Sequence, residues 1–392
     1  MFVWLLVGVL MLGIAESMIG SYLVLFGAGP ARLSPLQVGL FMSLISASGL
    51  AVSTWLGRRF DRSASRWPAL LAVAGPAAGY AILSTTTSYP VLLLVAVGLL
   101  GAGTAAFAQL FALARVHLTR AGEALTRRGT PALRSVWSLA WAVGPMAGAA
   151  LLAAGGYGRL LAATAVAFLA VGVPLVLLGR TPKARDEREA GPAGGRLGRP
   201  MLLAAAGFTC FHTAMLSGSV VLPLYVTGTL GRPDASVGLL FSVCALVEIP
   251  AALATMLFPA ARRRRILVAG MAMFALYFVA VAASATMPLL IATQVVRGIA
   301  LATVGALGIT YVQDLAPRSP GRATAIYANT LTFGSLVSGV LAGATAQVLG
   351  YRPAQLFCAA LAAAGCVLLA VAGRPVAAPA SEPASASGAA LR

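Results

Sequence analysis

Twelve apolar runs leave this chain few folds to choose from. They fall at 2–28, 36–57, 68–87, 90–112, 133–154 and 160–179, then at 201–228, 235–258, 266–286, 288–312, 323–349 and 354–373. Each is near the roughly 20 residues that cross a bilayer as a helix. In lipid a helix satisfies its own backbone polar groups, so such runs fold as helices. Proline marks several breaks: Pro30, Pro35, Pro68, Pro90, Pro131, Pro200 and Pro353. The expected fold is an all-α polytopic membrane protein, with 12 transmembrane helices in two pseudo-symmetric six-helix bundles.

Charge supports that reading. Only 10% of residues are charged, against about 25% in soluble domains. The net charge of +18 does not point to nucleic acid. The basic residues sit in short loops, with no basic face or RNA-binding motif. Alternate loops differ sharply. One set, with the tail, holds 23 Lys and Arg; the other holds only Arg32, Arg159, Arg232 and Arg352. The positive-inside rule then puts the basic loops and both termini in the cytoplasm.

The first run is not a cleaved signal peptide: it is too long, lacks a basic start and holds Glu16. Its abrupt opening at Met1-Phe2 leads us to expect basic residues upstream of this reading frame. We expect bundles at 1–180 and 200–374, a solvated cytoplasmic linker at 181–199 and a disordered cytoplasmic tail at 375–392. The halves look duplicated. Val38-Gly39-Leu40 and Val237-Gly238-Leu239 are offset by 199, as are Arg115 and Asp314. Gly144 and Gly148 in the fifth run are matched by Gly339 and Gly343 in the eleventh.

The stretch from Gln109 to Gly148 reads as an apolar helix, a polar loop with Arg120, Arg127 and Arg128, and a second helix with Arg134 on its first turn. Arg134, Trp137 and Trp141 share one helix face. A lipid-facing stripe would not carry the arginine, so this face should look into a protein interior or an aqueous cavity.

Gly57-Arg58-Arg59-Phe60-Asp61-Arg62-Ser63-Ala64-Ser65-Arg66 resembles the loop signature of the major facilitator superfamily, with Ala64 where that signature has glycine. The Gly144-Pro145-x-x-Gly148 segment resembles part of its antiporter signature. Four further segments resemble the bacterial sugar efflux transporter family. They are Gln109 to Arg115, Ser138-Leu139-Ala140-Trp141 through Gly144-Pro145, Glu248-Ile249-Pro250, and Gln313-Asp314-Leu315 running into Gly321-Arg322-Ala323. The resemblance implies a major facilitator fold and proton-driven export of small sugars and glycosides.

Glu248 lies in the middle of the eighth run. A charged carboxylate near the bilayer centre costs about 2.5–3.5 kcal/mol on insertion scales. It is expected to face inward and to hold the coupling proton; the competing reading is a packing carboxylate tied to an arginine. Glu16 has similar depth, and a local bond to Ser17 or Ser21 competes equally. Arg297, deep in the tenth run with Gln294 on its face, is expected to face the pathway and to need a lined cavity or a carboxylate partner, Glu248 or Glu16; snorkelling is the competing reading. His212 is either a titrating group or hydrogen-bonded packing. Gln109 and Asn329 suit sugar hydroxyls. Trp137 and Trp141 suit the C–H face of a pyranose, or else an aromatic belt. Asp61, Arg62, Arg115, Arg134 and Asp314 are expected to form a conformational latch between cytoplasmic ends.

Other functions find little support. Cys210, Cys244, Cys358 and Cys366 lack metal-ligand spacing with a histidine, so no metal is expected. No phosphate-binding loop occurs, and with one lysine in the chain ATP cannot drive it. No cofactor is expected. An enzyme would need a nucleophile–base pair or His-rich site, and a membrane sensor would need a folded soluble output domain. A multidrug antiporter of the same fold would have a more aromatic, Met-lined cavity. The expected inward groups are Gln, Asn, Arg and Trp, which leans to sugars. The expected partners are a small sugar or glycoside, protons and the lipid bilayer, with the chain a monomer.

Overall fold

Proline sets where many of the helices begin. Its missing N–H is an orphan in a first turn anyway, and its fixed φ suits one. It stands in the first turn of the helices starting at Pro35, Trp67, Tyr89, Arg199, Met287 and Pro320. The computed structural model describes residues 2–63, 65–178, 198–317 and 319–372. The expected linker lies almost wholly outside the described residues, and the tail lies wholly outside them.

Among the described residues, ten helices are long and apolar enough to cross a membrane. One, Ala132–Leu177, is broken by Gly155 and Gly156, and Trp67–Leu83 is a shorter apolar helix. Twelve helices result: α1 (Phe2–Ala28), α2 (Pro35–Arg62), α3 (Trp67–Leu83), α4 (Tyr89–Ala121), α5 (123–154) and α6 (157–177). The second half comprises α7 (Arg199–Thr229), α8 (Ala235–Leu257), α9 (Arg263–Ala283), α10 (Met287–Leu315), α11 (Pro320–Leu349) and α12 (Tyr351–Val371). No strand occurs among the described residues.

Two boundaries differ from expectation. The polar loop carrying Arg120, Arg127 and Arg128 shrinks to Gly122: α4 runs to Ala121 and α5 starts at Glu123. Ala, Glu, Leu and Arg in this stretch are strong helix formers. Gly122 alone turns the chain, at φ 114°, a conformation that side-chain-bearing residues rarely adopt. The helix passes through position 131, so Pro131 is no break, and Arg134 lies three turns inside α5 rather than on its first turn.

Within each half, neighbours pack tightly: α1 on α5, α7 on α11 and α12, and α9 on α10 and α12. Tyr80 of α3 stacks on Phe168 of α6, with ring centroids 5.7 Å apart. Between halves, α2 pairs with α11 and α5 with α8. The Leu36 N–H donates to Gln347 Oε1 at 3.1 Å, and the Val340 N–H donates to Ser43 Oγ at 3.1 Å. Gly39 and Gly339 let α2 and α11 touch backbone to backbone, and a Cβ at either would strike the other's carbonyl. Gly238 of α8 sits against the Pro145 backbone and the Tyr22 hydroxyl. These contacts cluster toward the ends whose connections are poor in arginine. Toward the arginine-rich ends a cavity separates the halves.

Candidate functional site: a cavity between the halves

The cavity has a volume of about 940 Å³, near the top of the usual range of about 300–1,000 Å³ for ligand sites. Its first wall is α5, presenting Arg134, Ser135, Trp137, Ser138 and Trp141. These positions recur at helical spacing, so one face of α5 is turned inward. The opposite wall is α8. Its Ala245, Glu248, Ile249, Ala252 and Met256 follow the same period. Ala306, Leu307 and Thr310 of α10 close one side, and the cavity reaches the α8–α9 connection at Phe258, Pro259 and Arg263.

Glu248 is exposed to this cavity, and it is the one carboxylate among the lining residues. No hydrogen bond or ion pair holds it among the described residues. Trp137 is fixed from behind by the Phe107 ring, edge-on at 4.6 Å. Trp141, 6.3 Å from Trp137, is 37% exposed and presents its indole to the cavity. Arg134 is exposed at the cavity wall.

The other expected site residues lie elsewhere. Arg297 is 5% exposed and sits behind the α8 wall, outside the cavity lining. It donates to Ser219 Oγ at 3.1 Å and Gln294 Oε1 at 3.4 Å, and lies 4.6 Å from the Phe241 ring centroid. Its expected carboxylate partner is missing: the one ion pair among the described residues is elsewhere, and Glu248 acts on Arg297 only through space. Neutral acceptors and ring faces solvate the guanidinium instead, which suits its weak hydration and planar shape.

His212 is buried, with Nδ1 2.9 Å from Thr330 Oγ1 and its ring packed among Phe208, Phe211 and Tyr327. This is the packing alternative. Gln109 is buried in the first half, and its Oε1 lacks a hydrogen-bond partner among the described residues. The buried Oε1 of Glu16 also has none. Ser17 does not bond to Glu16; its hydroxyl donates to the carbonyls of Gly13 at 2.6 Å and Ala140 at 3.1 Å, tying α1 to α5. Asn329 is exposed on α11, outside the cavity lining.

The latch residues are partly regrouped. Asp314 pairs with Arg263, within its own half, rather than with Arg115 or Arg134. The neighbouring Gln313 donates to Thr324 Oγ1 at 2.8 Å. Asp61, Arg62 and Arg115 are exposed at the arginine-rich ends of α2 and α4.

Sequence reasoning missed Ser138, Thr310, Met256, Phe258 and Arg263 as cavity residues. Two carried a signal. Ser138 lies four residues after Arg134 and three before Trp141, and Met256 continues the Glu248–Ile249–Ala252 stripe. Their arrival, and the absence of Gln109 and Asn329, removes the compositional lean to sugars: the α8 wall is mostly aliphatic.

Comparison with known proteins adds what geometry does not supply. The family model of the Major Facilitator Superfamily matches residues 5–259 and 219–392. A Deinococcus radiodurans protein whose name places it among the sugar efflux transporters is 38% identical over 371 residues, covering 92% of this chain and 95% of that protein. Sugar efflux transporter A of Escherichia coli K12 is 27% identical, covering 87% of this chain and 88% of its own. Among solved structures, the nucleoside transporter NupG superposes with a TM-score of 0.76 at 14% identity, covering 94% of this chain and 98% of its own. A bacterial homolog of the human lysosomal transporter Spinster, inward-facing and occupied, gives 0.74 at 12% identity and covers 96% of each chain. These structural likenesses establish the fold alone.

Proposed function

This chain belongs to the Major Facilitator Superfamily, and from that premise we propose that it exports small sugars or glycosides from a bacterial cytoplasm in exchange for protons. It is a transporter rather than an enzyme. One observation carries the sugar reading: identity of 38% along nearly the whole length to a protein named for sugar efflux. The arginine-rich ends are cytoplasmic by the positive-inside rule, so the cavity loads from the cytoplasm. Two bundles rocking about it then alternate its access.

Glu248 is the exchangeable group. It is the lining carboxylate and is free of a fixed partner, so it can take a proton in one state and release it in the other. One proton crossing about 150 mV supplies roughly 3.5 kcal/mol, since each 100 mV is worth about 2.3 per charge. That sustains a solute gradient of a few hundredfold.

A multidrug antiporter is the second reading. Met256, Phe258, Ile249 and Leu253 favour it, as an apolar wall. Proteoliposomes holding the purified protein and an internal pH dye separate the two. Sugars and glycosides should dissipate an imposed pH gradient, while lipophilic cations should not. Dissipation by the cations alone would replace the sugar reading with the drug reading.

A further inference from the structure

We propose that Ser138 is the residue with which the cavity distinguishes a hydroxylated ring from its deoxygenated analogue. The inference rests on the sugar reading above and assigns Ser138 a role in recognising that cargo. It follows from which polar lining groups are already committed. Thr255 donates to the Ala252 carbonyl at 2.6 Å, and Thr310 donates to the Leu307 carbonyl at 2.9 Å. Arg263 is paired with Asp314. Ser135 also has a partner. Ser138 Oγ makes no hydrogen bond among the described residues, although a serine on a helix can readily turn its hydroxyl back onto its own backbone. That leaves Arg134, Ser138 and Glu248 uncommitted among the lining groups with ionisable or hydroxyl side chains.

Position separates these three. Ser138 and Trp141 are three residues apart on the inward face of α5, so hydroxyl and indole are neighbours. Glu248 stands across the cavity on α8. A pyranose carries C–H bonds on its faces and hydroxyls on its rim. With one face on Trp141, its rim reaches Ser138 on one side and Glu248 on the other. Glu248 only accepts while it is ionised and Arg134 only donates, whereas the serine hydroxyl both donates and accepts at all times. Ser138 is therefore the side chain able to pair with a ring hydroxyl in either sense, and it needs no proton to do so.

The test is a cycle between protein and ligand. Equilibrium binding is measured for wild type and Ser138→Ala with a methyl glycoside and each of its monodeoxy analogues. Alanine keeps the small volume, so packing between helices is little changed. The variant should bind the parent glycoside several-fold more weakly, in line with one neutral hydrogen bond of about 0.5–1.5 kcal/mol. For one monodeoxy analogue, wild type and variant should bind equally, because the lost partners belong to the same bond. An equal loss for every analogue would mean that Ser138 acts through packing, and no loss for any would mean that it does not read the sugar; either overturns the proposal. If wild type binds none of these glycosides but binds lipophilic cations, the sugar reading itself has failed and the proposal falls with it.

Discussion

The Tyr157 hydroxyl donates to the carboxylate of Asp234, joining the first half to the second. Tyr157 is the first residue beyond the Gly155–Gly156 break between α5 and α6, and its ring rests on Phe26 at 5.9 Å. Asp234 precedes α8, and Gly238, one turn further on, lies against Tyr22 and Pro145. The head of α8 is thus seated on the first half at the end opposite the cavity.

Breaking this bond should favour the state open at the arginine-poor end. A hydrogen bond to a charged group is worth about 1.5–3 kcal/mol, so Tyr157→Phe or Asp234→Ala should raise that population roughly tenfold or more. Ser43 reports it, being buried between α2 and α11. In a background lacking Cys210, Cys244, Cys358 and Cys366, Ser43→Cys should react with an impermeant thiol reagent much faster once either change is added. Equal labelling rates would show that the bond does not hold the halves closed.

Trp141 should hold cargo by its ring face. Trp141→Ala should weaken sugar binding by on the order of 1 kcal/mol, as for a lost aromatic contact. Trp141→Phe should cost less, because a ring remains. Trp141→Cys should be alkylated by a water-soluble reagent, and sugar should protect it. Labelling by lipid-soluble reagents alone would put this face toward lipid.

Asp61 is exposed and makes no ion pair among the described residues, while the other carboxylate expected in the latch, Asp314 at the end of α10, holds Arg263. Asp61 is free to pair when the arginine-rich ends meet. An exposed ion pair is worth about 0.2–1 kcal/mol, so Asp61→Asn should slow turnover by roughly two- to fivefold with affinity nearly unchanged. Lost affinity at normal turnover would assign the residue to binding instead.

The fold was legible because lipid enforces it. Runs of spanning length are forced into helices, and their number follows directly. Glu248 was legible for a similar reason, since a carboxylate in an apolar run has few places to point. Trp137 and Trp141 were legible from spacing to Arg134. The sequence could not show what stands behind a helix. His212 meets Thr330 across 118 residues of chain, and Arg297 is solvated by Ser219, Gln294 and Phe241 from three helices. A buried cation suggested a carboxylate partner, but nothing in local spacing says which neighbours another helix will bring. The polar loop failed for a different reason: charge made it look unstructured, while its helix formers and the single Gly122 turn made it helical.

Proton coupling through Glu248 is the central claim, and Glu248→Gln in proteoliposomes tests it most directly. Glutamine keeps the shape and cannot exchange a proton. With radiolabelled sugar at equal concentration on both sides, an imposed pH gradient should drive accumulation by wild type and none by the variant. Sugar-for-sugar exchange at equal pH should survive in both. Undiminished pH-driven accumulation by Glu248→Gln would contradict the account.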